Sequence, residues 1–443
     1  MLNRRDFLKT AGLAAGTLAL PGLTGCAMGS RPRGHVVVVG GGYGGATVAK
    51  YLRMWSDMGV DVTLVERNPQ FISCPISNLV IGGDKTMADI TMGYDGLRNT
   101  WGVKLLQDTV VGLDAGARKL TLASGGVLGY DRLVLSPGIE FMFDQTPGLE
   151  SEDARRTVLH AWKAGEQTVA LRKQLEDMKD GGVYALAIPK APYRCPPGPY
   201  ERACLVADYL KTYRGAGSRV IVLDENATIQ AERETFTHAF GVTHAGVIRY
   251  EAGVTGIQID PVSRRVSYLD AVGNPQVIDA QAVNPIPPHR ATGSSPGGWL
   301  AAAGLNNSAD GRWCVVDVLS YESTAQPGIH VIGDAASCGL PKAGHVANQE
   351  AKICADAIVR LLAGQQPDPA PVANSACYSP ITAGTASWLT AVYQYDGANR
   401  KMVLAANGGN TAGATAIESA SVSSGNFRQM TTWFNTLMGD SFG

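Results

Sequence analysis

The fold is decided by the stretch His35-Val36-Val37-Val38-Val39-Gly40-Gly41-Gly42-Tyr43-Gly44-Gly45. Four valines in a row read as a strand buried on both faces, the kind found in parallel sheets. Gly40, Gly42 and Gly45 stand at the first, third and sixth positions of the next six residues. The first permits a tight turn, the second lets backbone approach a pyrophosphate, and the third lets the following helix pack closely on the strand. Ala46 to Trp55 reads as that helix, whose free N-terminal N–H groups and dipole favour phosphate. A second strand, Asp61 to Val65, ends in Glu66, 21 residues after Gly45, where a carboxylate accepts ribose hydroxyls. A lone GxGxxG is weak; strand, glycines, helix, strand and acid in register define a dinucleotide site.

Two later segments select FAD over NAD. Leu133-Val134-Leu135-Ser136-Pro137-Gly138 is an apolar strand closing in Pro-Gly, and Gly328-Ile329-His330-Val331-Ile332-Gly333-Asp334 is another closing in Gly-Asp. Both resemble segments of flavoproteins of the glutathione reductase type, in which the aspartate of Gly-Asp hydrogen-bonds the flavin ribityl and phosphate. The expected fold class is therefore α/β, with two Rossmann-like dinucleotide-binding domains and a C-terminal α+β region. The expected FAD domain is discontinuous, 34–145 plus 290–371. A second domain of dinucleotide type spans 146–289, and an interface region spans 372–443.

Composition agrees with a large folded chain that is not disordered. Hydrophobic residues are 45% and charged residues 17% of 443, enough to build sizeable cores. Lys+Arg 38 against Asp+Glu 39 leaves net charge -1, without the basic footprint of a nucleic-acid binder. No apolar run beyond residue 30 reaches the ~18 residues of a membrane span. The leader, 1–29, is an address: Arg4-Arg5 followed by the small apolar stretch Ala11 to Leu20 reads as a twin-arginine export signal, directing the chain to the periplasm. Leu23-Thr24-Gly25-Cys26 resembles a lipobox; if it is used, Cys26 becomes a lipid anchor.

The inserted domain lacks the expected second phosphate loop. After the strand Val183 to Ile188 comes Pro189-Lys190-Ala191-Pro192-Tyr193-Arg194-Cys195-Pro196-Pro197-Gly198-Pro199-Tyr200-Glu201. Proline blocks the tight turn and removes the N–H donors that a pyrophosphate needs, so no NAD(P) is expected. The eight cysteines form no C-x-x-C and no zinc spacing, so no metal is expected. Cys354 fits an apolar helix face, and Cys195 and Cys377 both read as loop residues; spacing alone leaves their pairing open. No Cys-x-x-Cys-His occurs, so haem has no attachment site here.

At Arg194 to Ala203, Ser77 to Asp84, His160 to Thr168, Cys377-Tyr378-Ser379 and Phe442-Gly443, the chain resembles the flavoprotein subunit of flavocytochrome c sulfide dehydrogenase, a relative of sulfide:quinone oxidoreductases. The likeness runs over nearly the whole chain. It implies a thioether from Cys74 to the flavin, a redox disulfide of Cys195 and Cys377 beside it, Glu201 as proton acceptor, and Lys342 favouring negative charge on reduced flavin. Hydrosulfide would attack the disulfide, and electrons would leave singly to a separate c-type cytochrome subunit. The chain departs from the family at Pro75, where a larger aromatic is expected.

Plainer readings stand beside these. Glu201 would be a surface or capping acid, Lys342 a solvated lysine, and Cys195–Cys377 a structural disulfide. The rival enzyme is a sulfide:quinone oxidoreductase, which needs a membrane-facing C-terminus; Phe427, Met430, Trp433, Phe434 and Leu437 fall at helical spacing there. The third reading is a non-catalytic flavin electron-transfer or assembly protein.

Overall fold

The computed structural model describes residues 33–405 and 416–443. The twin-arginine stretch and the Cys26 lipobox lie outside the described residues.

The valine run forms the strand Gly34–Val39, in which Val36, Val37 and Val38 are fully buried. It pairs in parallel with Val60–Glu66 on one side and with Arg132–Leu135 on the other. Ile329–Val331 continues the sheet beyond Arg132–Leu135, and Lys104–Gln107 beyond Val60–Glu66. The strand order thus reverses at Gly34–Val39, and the carboxyl ends of its neighbours deliver Glu66, Ser136 and Gly333 to one rim, where ligands of such sheets sit.

The helix after the glycines begins at Tyr43, three residues earlier than the sequence suggests, and runs to Trp55. Gly40 has φ +95, and a Cβ there would lie 2.2 Å from the Ser136 carbonyl oxygen. A Cβ on Gly45 would lie 1.7 Å from the Gly40 carbonyl oxygen. Both positions require glycine for the chain's own packing.

A second parallel sheet has the order Ile248–Ala252, Arg219–Asp224, Val183–Ile188, Ala282–Pro285. Its central strand carries the proline segment, which leads into the helix Gly198–Tyr213. Ile139–Phe141 pairs antiparallel with His289–Ala291 where the chain leaves and rejoins the first sheet's part of the molecule.

The C-terminal region is an antiparallel sheet, led by Val372–Thr382 and Thr385–Asp396, with the helix Ser424–Phe442. Here one expectation fails: Cys377 is in a strand, paired with Leu389, and not in a loop. Asn374, Ser375 and Ser379 look like loop residues, but the long hairpin register satisfies their backbone regardless of side chain. The C-terminal stripe packs inward. Met430, Phe434 and Leu437 are buried in the core of the first sheet, with Phe427 and Trp433 against them. Among the described residues, no helix is long and apolar enough to cross a membrane.

Candidate active site

Three cysteines from three segments line one cleft of about 730 Å³, partly open to solvent. Cys74 arrives from the loop before the helix Ser77–Gly82, Cys195 from the proline segment, and Cys377 from the C-terminal strand. Glu201, Asn78, Arg194, Arg202, Trp162, His345, Tyr378 and Trp433 complete much of the wall.

Two of the lining residues hold left-handed backbone without being glycine, Cys195 at φ 58 and the β-branched Ile76 at φ 72. Each such conformation costs roughly 1–3 kcal/mol and persists only where surroundings enforce it. The enforcement on Cys195 is visible: its N–H donates to the Lys342 carbonyl at 2.7 Å, and its own carbonyl accepts from Gly198 N at 2.9 Å.

All three cysteines are unbonded thiols in this structure. Burial pushes the Cys377 thiol up to about 12 and the Cys195 thiol well above its usual range. Charge on Cys377 and Glu201 adds to the effect on Cys195, and Glu232 and Glu201 act likewise on Cys377. The Cys195 thiol lies close to the N-terminal turn of the Gly198–Tyr213 helix, which favours thiolate. Arg194 favours it too. Desolvation outweighs both.

Glu201 is 6% exposed and its carboxyl is pushed up to about 8, mainly by burial. It is not the surface acid of the plainer reading. Asn78 Nδ2 donates to its Oε1 at 2.9 Å. The Asn78 amide is in turn fixed by Arg202, whose Nε donates to Asn78 Oδ1 at 2.9 Å. Arg202 is 1% exposed and also donates to the carbonyls of His160 and Ala161 and to Asn284 Oδ1, at 2.8, 2.8 and 2.9 Å. A buried guanidinium with its donors used in this way holds three segments in one geometry. Sequence reading gave no role to Asn78, Arg202 or Asn284. The available signal was a charged or amide residue inside an apolar run, as in Arg202-Ala203-Cys204-Leu205-Val206 and Ala282-Val283-Asn284-Pro285.

Lys342 is not among the cleft residues. Its Nζ donates to the carbonyls of Asp334 and Ala336 at 2.8 and 2.7 Å and lies 3.8 Å from the centre of the Trp313 ring. It therefore ties the Gly333-Asp334 turn to the Cys195 segment and is not a solvated lysine. Asp334 lies 3.9 Å from Arg194 Nη1. His345, which the sequence did not single out, accepts from Ala376 N at 2.9 Å through Nδ1, and burial lowers its pKa to about 4.

At the rim of the first sheet the residues fit a dinucleotide. Gly42 caps the helix Tyr43–Trp55 without any side-chain hydrogen bond. A Cβ on Gly42 would meet nothing nearer than Phe71 at 3.8 Å, so that face is open where those of Gly40 and Gly45 are filled. The Glu66 carboxylate stands beside the loop and accepts from Gly41 N at 2.7 Å. Sheet, loop and cysteine cleft together define a flavoprotein of the pyridine nucleotide-disulphide oxidoreductase class, and residues 34–178 match the model of that class.

Within that class the chain belongs to the family of the flavoprotein chain of flavocytochrome c sulfide dehydrogenase. Residues 168–287 match "Sulfide dehydrogenase [flavocytochrome c] flavoprotein chain, central", and residues 369–442 match "Flavocytochrome c sulphide dehydrogenase, flavin-binding". A flavoprotein chain of that name from Chlorobaculum thiosulfatiphilum is 60% identical over 46 residues, 10% of this chain and 94% of that sequence. The mitochondrial sulfide:quinone oxidoreductase of Mus musculus is 24% identical over 375 residues, 82% of this chain and 78% of the relative. The corresponding protein of Dictyostelium discoideum is 25% identical over 222 residues, which span 46% of this chain and 48% of that relative. Among solved structures, the sulfide:quinone oxidoreductase of Aquifex aeolicus superposes with TM-score 0.73 at 19% identity, covering 92% and 91% of the two chains, a likeness of fold. Residues 1–21 match a twin-arginine translocation signal, which supports export to the periplasm.

Proposed function

We propose that the chain oxidises hydrosulfide through Cys195 and Cys377 with FAD as its cofactor, and passes electrons singly to a c-type cytochrome subunit. The observation that carries this reading is the meeting of Cys195, Cys377 and Cys74 in one cleft with a buried carboxyl, Glu201. With Cys195 and Cys377 joined as a disulfide, hydrosulfide sulfur bonds to one cysteine sulfur as the S–S bond breaks, and the other leaves as thiolate. One cysteine then carries a persulfide, and Glu201 takes the proton. Gly40, Gly42, Gly45, Glu66, Gly333 and Asp334 hold the dinucleotide, and Lys342 orders the Gly333-Asp334 turn. The flavin, when bound, supplies a two-electron acceptor that can release electrons one at a time. The proline segment stands where a nicotinamide phosphate loop would be, so NADH has no built site here.

The domain boundaries that follow are 34–145 with 290–371 for FAD and 146–289 for the inserted domain. Residues 372–443 supply Cys377 and, we infer, the face for the cytochrome. A quinone acceptor is the second reading, favoured by the sulfide:quinone oxidoreductase relatives. The inward packing of the C-terminal stripe argues for the cytochrome: the apolar residues that would meet a membrane are spent on the core. If the Cys26 lipobox is used, the protein is tethered through lipid rather than a span.

Two expected results test the parts. Cys74 lines the cleft beside Cys195 and its Sγ accepts from Ala164 N at 3.4 Å. Flavin should therefore remain on a Cys74 peptide after acid precipitation and proteolysis, and the Cys74→Ala protein should release all its FAD. Release of all flavin by acid from the unaltered chain would rule the thioether out.

Glu201 gives the pH dependence. A carboxyl raised to about 8 accepts a proton only once ionised, so sulfide-driven flavin reduction should climb as pH rises through about 8. The same shift makes Glu201's contribution to stability largest where it is protonated and lost as pH rises toward that value. Glu201→Gln should remove the limb while leaving the substrate's own ionisation in the profile. Identical pH–rate profiles for the two proteins would exclude Glu201 as acceptor.

A further inference from the structure

The inserted domain has a carboxylate where a dinucleotide site would place one, and its own chain takes that carboxylate up. Asp224 closes the strand Arg219–Asp224 opposite Ile188, much as Glu66 closes Val60–Glu66 beside the glycine loop. An acid at that end of such a sheet ordinarily accepts ribose hydroxyls. Asp224 is fully buried, and four donors of this chain reach it. Tyr200 OH and Tyr250 OH donate to Oδ2 at 2.7 and 2.9 Å. Asn226 N and Nδ2 donate to Oδ1 at 2.9 and 2.7 Å. A carboxylate accepts about four hydrogen bonds, so its capacity is filled.

Two of these donors lead to the proline segment, one to each side of Cys195. Asn226 Nδ2 also donates to the Pro189 carbonyl at 3.0 Å, and Asn226 Oδ1 accepts from Ala191 N at 2.9 Å. These bonds grip the start of the segment. Tyr200 lies in the first turn of the helix Gly198–Tyr213, whose Gly198 N donates to the Cys195 carbonyl at 2.9 Å. Tyr193 OH lies 3.4 Å from Tyr200 OH and 3.3 Å from the Pro196 carbonyl, which share its one proton. Asp224 thus fixes residues before Cys195 and residues after it, through hydrogen bonds alone. Between the two grips Cys195 holds φ 58, a left-handed conformation that a released chain would leave.

We propose that Asp224, acting through Asn226 and Tyr200, positions Cys195 for bridging to Cys377. None of the three lines the cleft; their role is to hold the segment that does. This rests on the reading that Cys195 and Cys377 are the redox pair. Bridging removes two electrons and two protons from the two thiols, and oxidised glutathione takes both up as its own disulfide breaks into two thiols. The apparent equilibrium scales with the fraction of time that Cys195 spends in the bridging geometry. The clamp keeps that fraction high against the backbone's own preference.

The test equilibrates the full FAD-loaded chain anaerobically with mixtures of reduced and oxidised glutathione, quenches with acid, and measures bridged Cys195–Cys377 peptide by mass spectrometry. Tyr200→Phe and Asn226→Ala should each lower the equilibrium constant for the bridge about tenfold. Tyr250→Phe removes a donor to the same carboxylate from the strand Ile248–Ala252, outside the proline segment and its helix, and should leave the constant within about twofold of the parent. In the reduced chain, iodoacetamide should alkylate Cys195 of Tyr200→Phe about tenfold faster than Cys195 of the parent, with Cys354 unchanged. Should Asn226→Ala fail to hold FAD, Tyr200→Phe decides. A parent-like equilibrium constant in Tyr200→Phe, or an equal fall in Tyr250→Phe, would overturn the clamp while leaving the disulfide standing. A parent chain whose Cys195 and Cys377 stay unbridged in oxidised glutathione would overturn the redox pair and the clamp with it.

Discussion

Serine at either Cys195 or Cys377 should abolish sulfide-driven flavin reduction, a loss of about a thousandfold or more, while dithionite still bleaches the flavin. Both sulfurs line the same cleft, and each raises the stakes for the other: a charge on Cys377 pushes the Cys195 thiol up. As isolated thiols both are held protonated by burial and are poor nucleophiles, so neither alone can replace the pair. Only the disulfide offers hydrosulfide a sulfur to attack and a leaving group to displace. Cys354, fully buried on the helix Gly344–Leu362 and outside the cleft, is the control; Cys354→Ser should reduce flavin with sulfide as the parent does. The readout is flavin absorbance after anaerobic mixing with sulfide. Bleaching by Cys195→Ser within a few-fold of the parent would remove the pair from the mechanism.

The second large effect is on stability. Replacing Arg202 by Met leaves Asn78 Oδ1, Asn284 Oδ1 and the Ala161 carbonyl without their donor in the interior. Each orphaned buried acceptor costs about 1–3 kcal/mol, and breaking buried charged networks typically costs about 3–5 kcal/mol. Arg202→Met should therefore lower unfolding stability by about 3–5 kcal/mol in urea, despite keeping the apolar stem. It also frees the Asn78 amide to turn, so the donor facing Glu201 is lost. A change below about 1 kcal/mol would mean that the network relaxes onto other partners, and that Arg202 does not hold the cleft.

What the sequence made legible was local. Gly40 and Gly45 answer to backbone atoms of the same loop or the adjoining strand, so strand, loop and helix could be read from one continuous stretch. The backbone constraint on the proline segment after Val183 to Ile188 was legible for the same reason: proline acts on its own residue. The cleft was not legible from spacing, because Cys74, Cys195 and Cys377 arrive from three separate segments and only the assembled chain brings them together. Their grouping in the sequence reading came from the family likeness. The Arg202–Asn78–Asn284 network was missed because each residue, taken alone, suits a helix or strand surface; its meaning appears only when three elements share one buried guanidinium. Cys377 was misassigned to a loop because its neighbours are small and polar. Strand pairing depends on backbone register, which those side chains do not oppose.

The most direct measurement is an anaerobic sulfide titration of the FAD-loaded full chain, followed by its flavin spectrum. The account predicts stoichiometric bleaching by sulfide, reversed on adding a c-type cytochrome that becomes reduced one electron at a time. A flavin that dithionite reduces and sulfide leaves oxidised would contradict it and point to a flavoprotein that carries electrons without oxidising sulfide.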